Sequence, residues 1–127
     1  MFQNLDIFKM SHAMAVHAGQ KQAVAAQNVA NANTPGFKAH VLPSFAESFR
    51  SDLQSDQRAT RSGHINGTSA GMMLQSVVDT DAVSSPNGNT VSLEEQMLQS
   101  LDAKRQHDRA LAIYKSTLSV LRTSIGR

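Results

Sequence analysis

The residues best equipped for chemistry are five histidines, at positions 12, 17, 40, 64 and 107. His12 and His17 share one helix-forming stretch. Five residues apart, they point about 140° from each other around a helix. That spacing does not put two metal ligands on one face, and no acidic cluster accompanies either ring. Both read as structural or solvated side chains. There is no Cys, which removes disulfides, thiolate zinc sites, iron–sulfur clusters and cysteine nucleophiles. No carboxylate pair stands beside a nucleophile, and no Gly-rich loop follows a strand to cradle phosphate. The sequence predicts no catalysis, no cofactor and no metal. Twelve basic against ten acidic residues leave a net charge of +2. This is a weak pull on nucleic acid. Lys104, Arg105, Arg109, Lys115, Arg122 and Arg127 share the last helical region with Glu94, Glu95, Asp102 and Asp108 and read as a solvated or inter-subunit face.

The side chains that remain are amides and apolar groups, and these suit assembly. Asn28 and Asn31 lie three apart on one helix face; they are expected to bond neighbouring backbone in an assembly, with solvent exposure or local capping as the other reading. They belong to a stretch, residues 1–33, that holds no Pro and one Gly. It predicts a helix from about Asn4, as N-cap, to Asn31. Leu5, Phe8, Ala15, Val16, Ala23, Ala26 and Ala30 fall on one face, with His12 and Gly19 among them. Ile7, Met10, Met14, Ala18, Ala25 and Val29 form a second apolar strip. Pro35 stops the helix at Thr34. Pro35-Gly36 then suits the centre of a type II turn, and Asn31 and Asn33 are placed to satisfy carbonyls at the helix end.

The middle differs in composition. Of residues 51–90, 23 are Ser, Gly, Asn, Thr, Asp or Pro and only 11 are apolar, so little core can form there. It has room for a small β element around Val77-Val78 and Asn87-Gly88. The last region begins with a capping box, Ser92-Leu93-Glu94-Glu95. Leu93, Met97 and Leu101 start an apolar face, and Leu111, Tyr114, Leu118, Leu121 and Ile125 continue it at coiled-coil spacing. Lys104, Arg105 and Asp108 interrupt it. Ala110, Ile113 and Val120 make a smaller strip.

These patterns predict a mainly α protein. Long N- and C-terminal helices (residues 1–34 and 91–127) pair as a coiled-coil-like inner domain around a loop-rich middle (35–90). The helices would be roughly 40 and 50 Å long. Two such helices, apolar on more than one side, cannot cover themselves within 127 residues. The expectation is a subunit that completes its core from neighbours. No apolar run reaches the length of a membrane span, and MFQNLDIFKM, with no basic region before an apolar block, is not expected to act as a cleavable secretory signal.

Asn28-Val29-Ala30-Asn31-Ala32-Asn33-Thr34-Pro35-Gly36-Phe37 resembles the N-terminal signature of bacterial flagellar rod and hook axial proteins, Ala-Asn-Ile-Ala-Asn-x-x-Thr-Pro-Gly-Tyr/Phe. Thr60-x-x-x-His64-Ile65 and Asn89-Thr90-Val91-Ser92-Leu93-Glu94 are similar to stretches of the proximal rod type of the flagellar basal-body rod family. The resemblance implies terminal helices paired in an inner tubular layer. It implies subunits exported unfolded, without cleavage, and polymerised into a drive shaft that transmits torque within the periplasmic space. It implies as partners other copies of the chain, other rod proteins, the hook–basal body adaptor protein, the export apparatus and the membrane ring, and no nucleic acid. Phe45-Ala46-Glu47-Ser48-Phe49 resembles a short export-gate recognition pattern, with a core role for both aromatics as the other reading. The assembly contacts are expected from Leu5, Phe8, Asn28, Val29, Asn31, Thr34, Pro35, Gly36, Phe37, Leu111, Tyr114, Leu118, Leu121 and Ile125. Two rivals stand beside this: another rod or hook-junction axial subunit, and a soluble helical adaptor or nucleic-acid-binding protein.

Overall fold

The computed structural model describes residues 2–48, 76–79 and 82–126, with side chains from Asp6 onward. Phe49 and the Thr60–Ile65 stretch lie outside the described residues. Helix α1 spans Phe2–Ala30 and helix α2 spans Leu93–Ser124. Between them, strand β1 (His40–Val41) pairs antiparallel with strand β2 (Val77–Val78), His40 opposite Val78 and Val41 opposite Val77. The expected helix pair and the strand at Val77-Val78 are thus present. Asn87-Gly88 forms a turn instead of a strand. The Gly88 amide donates to Ser85 O and the Ser85 amide to Asn89 O, with Gly88 at φ +80°.

Each helix starts and stops for local reasons. α1 begins at Phe2, so Asn4 lies inside the first turn and is not the cap. It ends before a turn closed by the Phe37 amide on Thr34 O, with Gly36 at φ +73°. Pro35-Gly36 is therefore the expected turn, and glycine takes the left-handed position at no steric cost. At the start of α2, the Ser92 hydroxyl accepts from the Glu95 amide, and Glu94 and Glu95 sit in the positive first turn. The helix closes at Ile125, followed by Gly126 at φ +87°. A second cap opens a helical turn at 45–48. Ser44 and Glu47 bond reciprocally, the Ser44 amide to the Glu47 carboxylate and the Glu47 amide to Ser44 Oγ.

The helices run antiparallel: Asn28, near the end of α1, bonds Gln96 near the start of α2, and Phe8 meets Tyr114 at the far end. They meet along a seam of small and polar groups. On α1 the buried residues Ser11, Ala18 and Ala25 recur every seven positions, and on α2 so do Gln96, Ala103 and Ala110. A seven-residue repeat of this kind keeps one stripe of each helix facing its partner. The small side chains let the two backbones approach closely, as ridge-into-groove packing allows. The Leu-rich seam expected on α2 is therefore corrected. Leu93, Met97, Leu101 and Leu111 flank the contact and remain exposed, while Leu118 and Leu121 are half-buried. On α1 Ala18 and Ala25 of the second apolar strip are buried, while Met10 and Val29 of the same strip are exposed. Of the first strip, Val16, Ala23, Ala26 and Ala30 are exposed, while Phe8 and Ala15 are half-buried.

The segment after the turn lies on the other side of α1. His17 is buried, donates from Nε2 to Pro43 O at 2.9 Å and meets the Phe45 ring edge-on at 5.6 Å. Buried Ala39 donates its amide to Thr90 Oγ1. By helix arithmetic, His17 and Asn28 stand well over 100° around α1 from Ala26 and Ala30. One flank of the pair is clad by the 37–45 segment, and among the described residues no segment clads the opposite flank.

Candidate assembly surface

Of the predicted contact residues, Asn28 is placed most firmly, and not where an assembly contact requires. It has no exposed surface. Its Nδ2 donates to His40 O at 2.7 Å and to Gln96 Oε1 at 2.9 Å, and its Oδ1 accepts from the His40 amide at 3.0 Å. All its bonding capacity in view is used within the chain, so it clamps β1 and α2 onto α1 and has nothing to offer a neighbouring subunit. Asn31 likewise serves its own helix, donating to Gln27 O and accepting from the Thr34 hydroxyl.

The residue that holds this end together escaped the sequence reading. Asn89 is buried, and its Nδ2 reaches the carbonyls of Asn31, Ala32 and Thr34 at 2.8–3.0 Å, while its Oδ1 accepts from the Val91 amide. The orphan carbonyls beyond α1 are thus capped from the chain entering α2. Thr90 adds a backbone bond, its amide donating to Phe37 O. The Gly36 amide donates to Asn87 O, and a Cβ on Gly88 would meet the Gly36 Cα at 3.4 Å. The two glycines let these strands of chain lie close. The signal for Asn89 was its place in Asn87-Gly88-Asn89-Thr90, a turn leading straight into a capping box. Its partners, however, lie 55 to 58 residues away.

The other predicted contacts divide between the two ends of the pair. Val29, Thr34, Pro35 and Gly36 are exposed at the closed end, and Phe37 is half-buried, stacked on the His40 ring at 5.9 Å. At the far end, Phe8 and Tyr114 meet edge-to-face at 5.1 Å, worth about 1 kcal/mol beyond their burial. Leu118 and Leu121 are half-buried there, while Ile125 is 78% exposed. The side chain of Leu5 lies outside the described residues. Phe45, taken with Phe49 as an export element, packs on His17.

Between the clusters, on the unclad flank, runs an open groove of about 560 Å³. Its α1 wall is Ala26, Val29 and Ala30, and its α2 wall is Met97, Ser100 and Leu101, with Lys104 at one margin. The α1 wall is mostly small side chains, Ala25, Ala26 and Ala30, with Gln22 beside them. The α2 wall projects: Met97 is 70% exposed. The surface can bury apolar area and has few polar groups with which to do chemistry. Among the described residues, no three His, Cys, Asp or Glu gather as a metal site. His12 is exposed and His17 is used structurally. No described helix is long and apolar enough to cross a membrane.

Comparison with known proteins fits this architecture. A family described as flagella basal body rod protein matches residues 17–38. That stretch holds His17, Ala18, Ala25, Asn28 and the Pro35-Gly36 turn, which are the seam, the clamp and the stop of α1. Over almost its whole length the chain also resembles the flagellar basal body rod protein FlgB of Agrobacterium fabrum. The two are 26% identical over 129 aligned positions, covering 98% of this chain and 96% of the relative. A short family signature at the structural hinge of the molecule, with a relative aligned end to end, makes this chain similar to the flagellar basal body rod proteins.

Proposed function

We propose that the chain is a structural subunit of the proximal rod, the first segment of the flagellar drive shaft. The observation that carries this reading is the near full-length alignment with a FlgB relative. It is supported by a helix pair that, among the described residues, is clad on one flank only. The subunit is exported unfolded and folds as it polymerises. Ordering two long helices costs entropy, and cover from neighbouring subunits offsets that cost. Torque transmission follows from close packing of stiff helices. Its neighbours are further copies of the chain, other rod proteins and the hook–basal body adaptor, next to the export apparatus and the membrane ring, on the periplasmic side of the inner membrane.

Of the expected contact residues, Val29, Pro35, Gly36, Leu111, Leu118, Leu121 and Ile125 retain surface to offer, whereas Asn28 does not. The test is complementation. A strain lacking its own proximal rod subunit regains motility on expressing this chain, and labelled chain is found at the base of purified rods. Chain confined to the cytosol, with motility unrestored, overturns the reading.

A further inference from the structure

The two ends of the helix pair differ in both shape and charge. The closed end carries the groove between Ala26, Ala30, Met97 and Leu101. The far end carries an overhang. The pairs Asn28–Gln96 and Phe8–Tyr114 set a register that places the start of α1 opposite about residue 121 of α2. The last turn of α2 therefore projects past its partner. Ile125 continues the spacing of Ala110, Tyr114, Leu118 and Leu121 on the seam face and is 78% exposed. Charge follows the same polarity. From Leu93 to Ala103, α2 has Glu94, Glu95 and Asp102 and no cation. From Lys104 to Ser124 it has five cations and one acid. Glu94 precedes Met97 by three residues, one helical turn before the groove, and Arg122 precedes Ile125 by the same interval.

We infer that the overhanging end of α2 in one copy seats in the groove of a second copy, with Ile125 against Met97 and Leu101 and Arg122 facing Glu94. Donor and acceptor surfaces are different patches of the same molecule. The contact is heterologous and repeats in one direction, producing an open-ended row of subunits, not a closed dimer. The Ala26–Ala30 stretch of the wall admits the aliphatic end of the incoming helix, and Glu94 and Glu95, one turn beyond the groove at the end away from Lys104, favour a basic helix terminus over an acidic one. This deepens the reading of the chain as a rod subunit and rests on it for its biological setting. The contact itself is a property of the purified chain.

The absence of cysteine makes the test direct. Met97→Cys and Ile125→Cys copies of the full chain are oxidised separately and as a mixture, then run on a non-reducing gel. The mixture gives a disulfide dimer that neither copy gives alone, and Met97→Cys/Ile125→Cys in one chain gives a ladder. Glu94→Lys in the groove-bearing copy lowers the yield about two- to fivefold, as loss of an exposed ion pair should. Arg122→Glu in the tail-bearing copy restores it. Dimers from either single variant alone, no dimer in the mixture, or a charge reversal that is not restored overturns the contact. Circular dichroism checks that each variant keeps its helices, and Ser100→Cys replaces Met97→Cys if that copy has lost them. Incorporation of the unaltered chain into rods is scored separately. Normal incorporation without the 97–125 link discards the contact and keeps the rod reading, whereas the link without incorporation does the reverse.

Discussion

Asn28 and Asn89 are polar residues in positions where an alanine-rich helix pair has few large side chains to bury. Each satisfies groups that would otherwise be sealed from water unbonded. Asn89→Ala removes the one donor that the Ala32 carbonyl has among the described residues and withdraws one each from Asn31 and Thr34, which keep the Thr34 and Phe37 amides. Leaving buried acceptors unbonded costs about 1–3 kcal/mol each, less where water enters. The variant is expected to lose about 2 kcal/mol, read as a lower urea midpoint of the far-UV circular dichroism signal. Asn28→Ala strips both His40 backbone groups and the Gln96 amide at once, and is expected to lose about 3 kcal/mol. Asn31→Ala, whose bonds are exposed and local, is expected to lose well under about 1 kcal/mol. These residues were unequally legible. Pro35-Gly36 acts through its own backbone, so the turn was readable in place. Asn89 acts on carbonyls that approach it only once the helices are antiparallel, and nothing in its neighbours announces that.

At the level of elements, the existence, span and pairing of α1 and α2 were readable from helix formers, caps and breakers, but the stripe that joins them was not. A hydrophobic pattern ranks residues by transfer free energy, and on that scale Leu93, Met97, Leu101 and Leu111 outrank Ala103 and Ala110. Helix contact selects on volume as well. A seam of Ala and Ser at seven-residue spacing brings two backbones together more closely than Leu permits, and the large side chains are displaced to the flanks. The consequence is testable by reversing sizes. Ala103→Leu inserts three carbons where the side chain has no exposed surface and is expected to cost about 1–3 kcal/mol or to spread the helices. Leu101→Ala removes as much volume from an exposed site, and is expected to change stability by less than about 1 kcal/mol. Paired urea titrations of the two variants separate the seams, since a Leu-based seam predicts the opposite order.

At the scale of the whole molecule, the distribution of polar and apolar groups is lopsided. The clad flank of α1 is tied down by His17, Asn28 and the 37–45 segment, while Ala26, Ala30, Met97 and Leu101 line an open groove opposite. A chain organised this way keeps stability in reserve for its neighbours, because burying that flank returns about 25 cal/mol for each Å² removed from water. Dilute purified chain is accordingly expected to unfold with low cooperativity and to gain helix and cooperativity as it associates. A rigid, fully cooperative monomer would remove the physical basis of the assembly reading. The sharper probe is Leu121→Asp. Leu121 lies near the end of the seam, where α1 has almost run out, so a carboxylate there costs the helix pair little. Export takes the unfolded chain and is expected to proceed. Incorporation requires the apolar tail of α2 to enter a neighbour, and a charge in that tail faces desolvation with no partner to offset it. Exported chain should therefore accumulate outside the cytoplasm while rods lack it and cells stop swimming. Immunoblots of purified basal bodies and of the exported fraction measure both halves. Normal motility in this variant would mean that the end of α2 is not an assembly contact, and the row of subunits would have to be built from another face.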